Sequence, residues 1–550
     1  MSDKQVTRLF PKIIWFNHLM IEQFIYPVRK FYQFPAHDIL FNKANFRKNH
    51  AERNEYAHFK SCSVSFLPAS EFLILKEYLK SIKMETAAKT SPIKTVNPFN
   101  NELVKSFEIM GDEQIESKIA VADHAFQTWK KTPMADRAQL LRRVAHLMRV
   151  KSVQLEKLAT LEMGKLVTES RAEVGLCAAI FDYYAENGEK FLADQPLETP
   201  QGSAFLSFEP IGVLLSIQPW NFPFYQITRS AAPHLMAGNT MLLKHASNVP
   251  QCAQIMEDIF LEAGFPAGVY QNLFIPGSKI DVLVADKRIK GVTLTGSEPA
   301  GSSIAAAAGK YIKKSTLELG GSDAFVVLDD ADVEQAAEAA VRGRMWNAGQ
   351  VCVSPKRVIA EEGIADLFLD KVKAKFAALK VGDPMDEQTD LAPLSSEKAV
   401  EDVIKQVQKA VEQGATVLAG GHRIDRPGAF MEPTILTGIQ PGTAAYEEEI
   451  FGPVFMFYKV KDEQAAIDLA NATDYGLGGS VFSSNNERAV KVARQIDTGM
   501  VYINHVTGIA PELPFGGTKH SGYGREQSQA AIYEFVNSKL IRVTTPESAY

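Results

Sequence analysis

Hydrophobic positions along the chain switch between two periods, and the switching outlines a fold. Within Pro133–Gly164, Leu140, Leu141, Val144, Leu147 and Met148 recur at steps of three and four, which predicts a helix with one buried stripe. Beyond it, short apolar runs at Gly212–Ile217, Thr240–Leu243, Gln271–Ile275, Val292–Thr295 and Ala324–Leu328 read as buried strands. Helical patterns at Val249–Ala263 and Glu298–Gly309 lie between them, the first stopped by Gly264 as a C-terminal glycine stops a helix. Asp332, with Gln335 three residues on, opens another helix through Trp346 in capping-box style, with Val333, Ala336, Ala337, Ala340 and Val341 on one face. Strand and helix alternating at this spacing imply an α/β fold of two doubly wound domains with mostly parallel sheets. No internal repeat or low-complexity linker interrupts the pattern.

Residues 1–83 do not share it. They contain no glycine, although the chain has 36 and ordinary usage would place about six there. They hold 15 aromatic residues, 4 of the 11 histidines, and 13 Lys and Arg against 7 Asp and Glu, a basic stretch in a chain of net charge −6. Their apolar clusters, such as Ile13-Ile14-Trp15-Phe16, lack amphipathic spacing with caps. A species-specific extension, a basic aromatic arm for RNA and a targeting leader are the alternatives, but a transit peptide is poor in acidic residues. The stretch reads instead as translation upstream of a start at Met84, where Met84-Glu85-Thr86 opens a sequence of ordinary composition. We expect it to be weakly ordered and dispensable.

Composition narrows the class further. At 46% apolar and 23% charged residues, whole-chain disorder and fibrous architectures are excluded. The acidic balance gives no basic field for nucleic acid or an anionic membrane. Four cysteines (Cys62, Cys177, Cys252, Cys352) in 550 residues form neither a disulfide framework nor a zinc spacing, so no metal is expected, and a reducing, cytoplasmic setting fits. No run of 18 apolar residues occurs.

No GxGxxG fingerprint follows a strand, but glycine-rich turns do. Thr295-Gly296-Ser297 ends one strand and opens a helix, whose free N–H groups suit a pyrophosphate. Further motifs follow in order: Pro219-Trp220-Asn221-Phe222-Pro223, Glu318-Leu319-Gly320-Gly321, Asn347-Ala348-Gly349-Gln350-Val351-Cys352, Glu448 through Val454 with Phe451-Gly452-Pro453 inside, and Pro514 through Glu526. In this order and spacing they resemble the aldehyde dehydrogenase superfamily over about residues 90–545. Within it, the likeness is to the NAD(P)-dependent succinate-semialdehyde dehydrogenase group, the Lys244-His245-Ala246 and Asn347–Cys352 segments resembling its bacterial branch.

Expelling hydride from an aldehyde first requires a tetrahedral adduct, which a cysteine thiolate can form. By resemblance Cys352, in a Gly/Asn-rich loop, is that nucleophile; Cys177 and Cys252, inside helical patterns, read as core. The resemblance makes Asn221 and the Cys352 N–H the oxyanion donors, and Glu318 the base that activates water on the thioester. It places Trp220, Lys244, Ser247, Gly296, Ser297, Glu449 and Phe451 around NAD or NADP. Lys244 falls at the adenosine ribose, Ser297 at the pyrophosphate, Glu449 at the nicotinamide ribose and Phe451 beside the nicotinamide. Relatives restricted to NAD carry a glutamate three residues after that lysine; Ser247 stands there, so nothing repels a 2′-phosphate and NADP should be tolerated.

The same resemblance makes Arg229 a substrate-binding anchor for a distal carboxylate. Three departures accompany it: Trp346 where a second arginine is expected, Ser354 where a redox cysteine occurs, and Ser230 where a lysine is common. The expected reaction is oxidation of a small aldehyde, most simply succinate semialdehyde, the alternatives being other short aliphatic or ω-carboxylated aldehydes or a non-catalytic relative. Expected domains are a nucleotide-binding unit (84–191 and 212–318), a catalytic unit (319–527) and a β arm (192–211 and 534–545) that joins a homodimer or homotetramer.

Overall fold

The computed structural model describes residues 92–200 and 202–545. The expectations for residues 1–83 lie outside the described residues, and the unit considered below is Thr90–Tyr550.

Two sheets dominate. The first consists of β3 (Val213–Gln218), β4 (Thr240–His245), β5 (Tyr270–Asn272), β6 (Ile289–Thr295), β7 (Lys314–Glu318) and β15 (Gly522–Tyr523), in spatial order β15-β7-β6-β3-β4-β5. All neighbours run parallel except β15, which pairs antiparallel with β7. Chain order runs outward from β3 in one direction and from β6 in the other, so their boundary is the topological switch point. In open α/β sheets ligands sit outside the carboxyl ends of the strands at that point.

Helices cover both faces of this sheet. On one face α1 (Asp112–Trp129) supplies Ile115, Ile119 and Ala122 against Val213, Leu215, Leu242, Val292 and Leu294. On the other, α2 (Met134–Val150), α3 (Ser152–Met163), α4 (Val167–Phe191), α5 (Tyr225–Ala237) and α6 (Pro250–Glu262) enclose Met241 and Leu243, with Cys177 and Cys252 as core residues. The single helix expected over Pro133–Gly164 is two helices. Lys151 leaves helical geometry (φ −94°, ψ 10°), and α3 then packs on α4 and α6. Gly264 stops α6 at φ 95°, with the Phe265 N–H returning to Phe260 O.

The second sheet has the order β10-β11-β12-β9-β8-β13-β14: β8 (Ala324–Val327), β9 (Arg357–Glu361), β10 (Thr416–Ala419), β11 (Thr434–Thr437), β12 (Val454–Val460), β13 (Gly479–Phe482) and β14 (Tyr502–Ile503). Only the β10–β11 pair is antiparallel. Its core is separate and includes Phe325, Val326, Val358, Ile359, Phe368 and Phe455. Asp332 caps α8 (Val333–Met345), its side chain accepting the Gln335 N–H.

Two short segments refine the expected organisation. β15, inside the stretch expected to close the second domain, returns to the first sheet, where Gly522 pairs with Glu318. Gly522 has φ 108°, and a Cβ there would run into Leu317 O. A third sheet joins β1 (Gln195–Leu197), β2 (Ser203–Pro210) and β16 (Val536–Val543) in the order β16-β2-β1. β16 pairs with β2 from Val536↔Pro210 to Val543↔Ser203 and forms an outer edge.

Candidate active site

The carboxyl ends of β3, β6 and β7 converge on the segment between α8 and β9, which carries Cys352. β3 leads into Pro219–Pro223 and then α5; β6 leads into Gly296-Ser297 and α7 (Glu298–Lys310); β7 ends at Glu318. Cys352 is partly exposed, whereas Cys177 and Cys252 are buried.

The loops of Asn221 and Cys352 are tied directly. Asn221 Nδ2 donates to Gln350 O at 3.0 Å, and Asn347 Nδ2 donates to Asn221 O at 2.9 Å. Gln226, the second residue of α5, donates to Asn221 Oδ1 at 3.3 Å, which fixes the amide with its NH₂ towards the Cys352 loop. One amide hydrogen is thus committed to Gln350, and the second is free to serve as an oxyanion donor. At the base of the Asn221 loop, the His245 ring sits between Gln218 O (Nδ1, 3.1 Å) and Pro223 O (Nε2, 3.0 Å). One buried imidazole therefore spans both ends of the loop.

Glu318 is 2% exposed, and neither carboxyl oxygen has a hydrogen-bond partner. Burial pushes its pKa well above the ordinary carboxylate range; Arg229 opposes this and Glu526 adds to it. Cys352 is pushed up to about 12, burial outweighing Arg229 and Lys356. Cys352 is therefore a thiol in the resting site at neutral pH, and burial disfavours the ionised form of Glu318. A buried carboxyl without partners is costly to fold around, and such a group is a functional candidate on physical grounds.

Arg229 lies one turn into α5 and is 1% exposed. Its guanidinium forms an ion pair with Glu526, donates to Thr295 Oγ1 at 2.7 Å, and lies over the Tyr225 and Phe515 rings. Much of its hydrogen-bonding capacity is spent inside the protein, on Glu526 and on Thr295 at the end of β6. Its Nη1 has no hydrogen-bond partner. Trp346 is packed edge-on against Phe222 at 5.1 Å.

The residues expected at the cofactor fall in two groups. Ser297, exposed, is the N-cap of α7, and the Gly296 N–H before it donates to Glu318 O at 3.0 Å, which ties the start of this helix to the end of β7. Lys244 is half-buried, with its pKa lowered by burial, and Ser247 is exposed. Nearer Cys352, Trp220 and Phe451 meet edge-on at 5.9 Å. Glu449 accepts the Gly321 N–H at 3.2 Å and pairs with Lys356 at 2.9 Å. A Cβ on Gly320 would press on Glu449 Oε2, so a larger residue there would push that carboxylate aside. An exposed helix N-terminus, a lysine with a neutral hydroxyl near it, and a carboxylate beside an aromatic pair are donors and acceptors of the kinds a dinucleotide needs.

Several partners gave no sequence signal. Lys356 is fully buried and donates to Val351 O (2.9 Å) and Cys352 O (2.7 Å) besides pairing with Glu449. Glu526 was legible only as part of a motif, and His245 only as a neighbour of Lys244. Among the described residues no group of His, Cys, Asp and Glu could hold a metal ion, and no helix is long and apolar enough to cross a membrane.

The aldehyde dehydrogenase family profile matches residues 84–541, and the chain belongs to that family. It is 48% identical over 457 residues to the NADP(+) succinate-semialdehyde dehydrogenase of Deinococcus radiodurans, covering 83% of this chain and 96% of the relative. A probable NADP(+) succinate-semialdehyde dehydrogenase of Synechocystis is 44% identical, covering 82% of this chain and 99% of that one. Among solved structures, the succinic semialdehyde dehydrogenase of Streptococcus pyogenes in complex with NADP+ superposes with a TM-score of 0.81. It is 46% identical, covering 82% of this chain and all of that one.

Proposed function

We propose that the protein oxidises succinate semialdehyde to succinate with NADP, NAD being tolerated. The carrying observation is an unpartnered, buried Glu318 set with a partly exposed Cys352 and a fixed Asn221 at the switch point of a dinucleotide-type sheet. The relatives at 44–48% identity act on that aldehyde and are named for NADP(+).

In this reading the Cys352 thiol gives its proton to water and its sulfur adds to the aldehyde carbon, the C=O π pair moving to oxygen to give the thiohemiacetal anion. The oxygen that becomes negative is met by Asn221 Nδ2 and the Cys352 N–H, a type of donor worth about 2.7–4 kcal/mol each. The bound cofactor supplies the hydride acceptor. Collapse of the adduct leaves a thioester on Cys352, and Glu318, once ionised, takes a proton from the attacking water. Lys356 holds the Val351 and Cys352 carbonyls, so the nucleophile loop keeps its place while the sulfur changes bonding. Ser247 leaves room for a 2′-phosphate near Lys244.

The internal pairing of Arg229 favours a second substrate reading, a broader one covering other short aliphatic or ω-carboxylated aldehydes. The unpartnered Nη1 supports the narrower one, since it leaves a donor for a distal carboxylate. Absorbance at 340 nm with a panel of aldehydes and both cofactors decides between them. Equal kcat/KM for succinate semialdehyde and uncharged aldehydes of the same length would refute the carboxylate reading. We further propose that β16 pairs with a second copy of the chain, because Leu540 and Val543 on this edge strand are 58% and 59% exposed.

A further inference from the structure

Two carboxylates one turn apart on α4 hold the loops of Asn221 and Cys352. Glu173 accepts the N–H groups of Phe224 and Tyr225 at 2.8 and 2.9 Å, and its other oxygen accepts Lys165 Nζ at 2.5 Å. That ammonium also lies 3.5 Å from the Phe222 ring centroid. Glu169 reaches the other loop: its Oε1 accepts the Asn347 N–H at 3.0 Å, while its Oε2 is sealed from solvent with no partner.

The Asn347 amide opens an unusual turn. Asn347, Ala348 and Gly349 have φ of 49°, 51° and 75°, three consecutive residues in the left-handed region. Glycine adopts it freely and asparagine tolerates it, but alanine loses roughly 1–2 kcal/mol there. Such a turn persists only if its surroundings hold it. Asn347 Nδ2 bonds Asn221 O and Gln350 Nε2 bonds Asn347 O at 3.1 Å, so the turn sets the register between Asn221 and Cys352. Glu169 is the one acidic group bonded to the backbone of this turn among the described residues.

We propose that Glu169 is a positioning residue: its carboxylate anchors the Asn347 N–H, and so holds the left-handed turn that aligns Cys352 with the Asn221 amide. This rests on the catalytic reading of Cys352 and Asn221 given above. Burial raises Glu169 to about 7; Lys165, from the segment before α4, pulls it down and Glu173, on the same helix, pushes it up. An ionised acceptor makes the stronger hydrogen bond. Acylation therefore gains a limb that rises with pH through about 7, separate from the ionisation of Cys352, which lies higher.

Two variants separate this role from mere support of the fold. E169Q keeps an acceptor oxygen in place and cannot titrate; E169L removes the acceptor. The readouts are the single-turnover burst of reduced cofactor across pH 5.5–8.5, the rate of Cys352 alkylation by iodoacetamide without cofactor, and the cofactor Kd. E169L should slow the burst by about 10- to 100-fold, the scale of a small misplacement of reacting groups, and change the alkylation rate, with the cofactor Kd unchanged. E169Q should restore most of the burst rate and abolish the limb near neutrality. A burst at the wild-type rate in E169L, or a limb that survives in E169Q, overturns the proposal. If E169L does not fold, the pH profile of E169Q decides alone. C352A is measured in parallel: turnover retained there would refute the catalytic reading. A dead C352A beside wild-type-like Glu169 variants refutes only the role of Glu169.

Discussion

Replacing Glu318 by glutamine should inactivate the enzyme and stabilise it at the same time. In the unfolded chain this carboxyl ionises above its ordinary value of 4.5, whereas in the fold burial keeps it protonated to much higher pH. The unfolded state then binds fewer protons than the native one. Stability that is fully present below 4.5 is lost as pH rises towards the folded value, at about 1.4 kcal/mol per pH unit. Glutamine has no such slope. The advantage of Glu318→Gln should therefore grow as pH rises above 4.5, by at most about 1.4 kcal/mol for each pH unit over which the folded carboxyl stays protonated. For a unit of this size the entropy of unfolding converts 1 kcal/mol into about 1 °C, so the gap in melting temperature should widen by up to about 1 °C for each such pH unit. Scanning fluorimetry of both proteins at matched ionic strength reads it. Activity should move the other way. The burst of reduced cofactor survives, while steady-state turnover falls by about 10²–10⁴, because hydrolysis of the thioester lacks its base. A gap that stays flat or narrows with pH would mean that Glu318 is ionised in the native protein. Steady-state turnover near that of the wild type would remove it from the mechanism altogether.

Cys352→Ala should abolish oxidation while leaving the cofactor Kd within about twofold; residual turnover above that of the bare buffer refutes the thioester route. With Cys352 raised to about 12, its alkylation should accelerate close to tenfold per pH unit between pH 7 and 9, and a pH-independent rate would mean a standing thiolate. Ser247→Glu should shift the NADP/NAD ratio of kcat/KM towards NAD by at least about tenfold, the scale of one unfavourable charge contact; an unchanged ratio would place the 2′-phosphate elsewhere. Light scattering at micromolar protein should give a dimer or tetramer, and a monomer would refute pairing through β16. A chain that begins at Met84 contains the whole family match and should turn over like the full chain; loss of activity would give residues 1–83 a role.

What was legible in the sequence is what local chemistry encodes. Gly264 stopping α6, Asp332 capping α8 and Ser297 opening α7 each depend on residues within a few positions, and all three stand in the structure. Cys352 could be separated from Cys177 and Cys252 because a Gly/Asn-rich loop and an amphipathic helix look different in sequence. The pairings that set the electrostatics did not show. Arg229 meets Glu526, and Lys356 meets Glu449, across long stretches of chain. Nothing in the periodicity of either segment distinguishes an inward arginine from one facing a cleft. The left-handed Ala348 is invisible for another reason: alanine carries no preference for that conformation, so the strain is imposed by the surrounding bonds.

Charge balance explains why this site holds its reactive groups neutral. Arg229 and Lys356 are the cations that act on Cys352, and each is already matched, by Glu526 and by Glu449. A spare cation beside the sulfur would stabilise a standing thiolate, and a partly exposed thiolate is the form most open to oxidation. Matching the cations removes that pull, and burial then raises both Cys352 and Glu318. In the proposed mechanism Cys352 must then lose a proton before it acts. Removing Glu449 would unmatch Lys356, and removing Glu526 would unmatch Arg229; either change should lower the Cys352 pKa and make the resting thiol more reactive. Such variants would carry a more reactive cysteine and be worse enzymes, because the matched pairs also hold the loops that the chemistry needs.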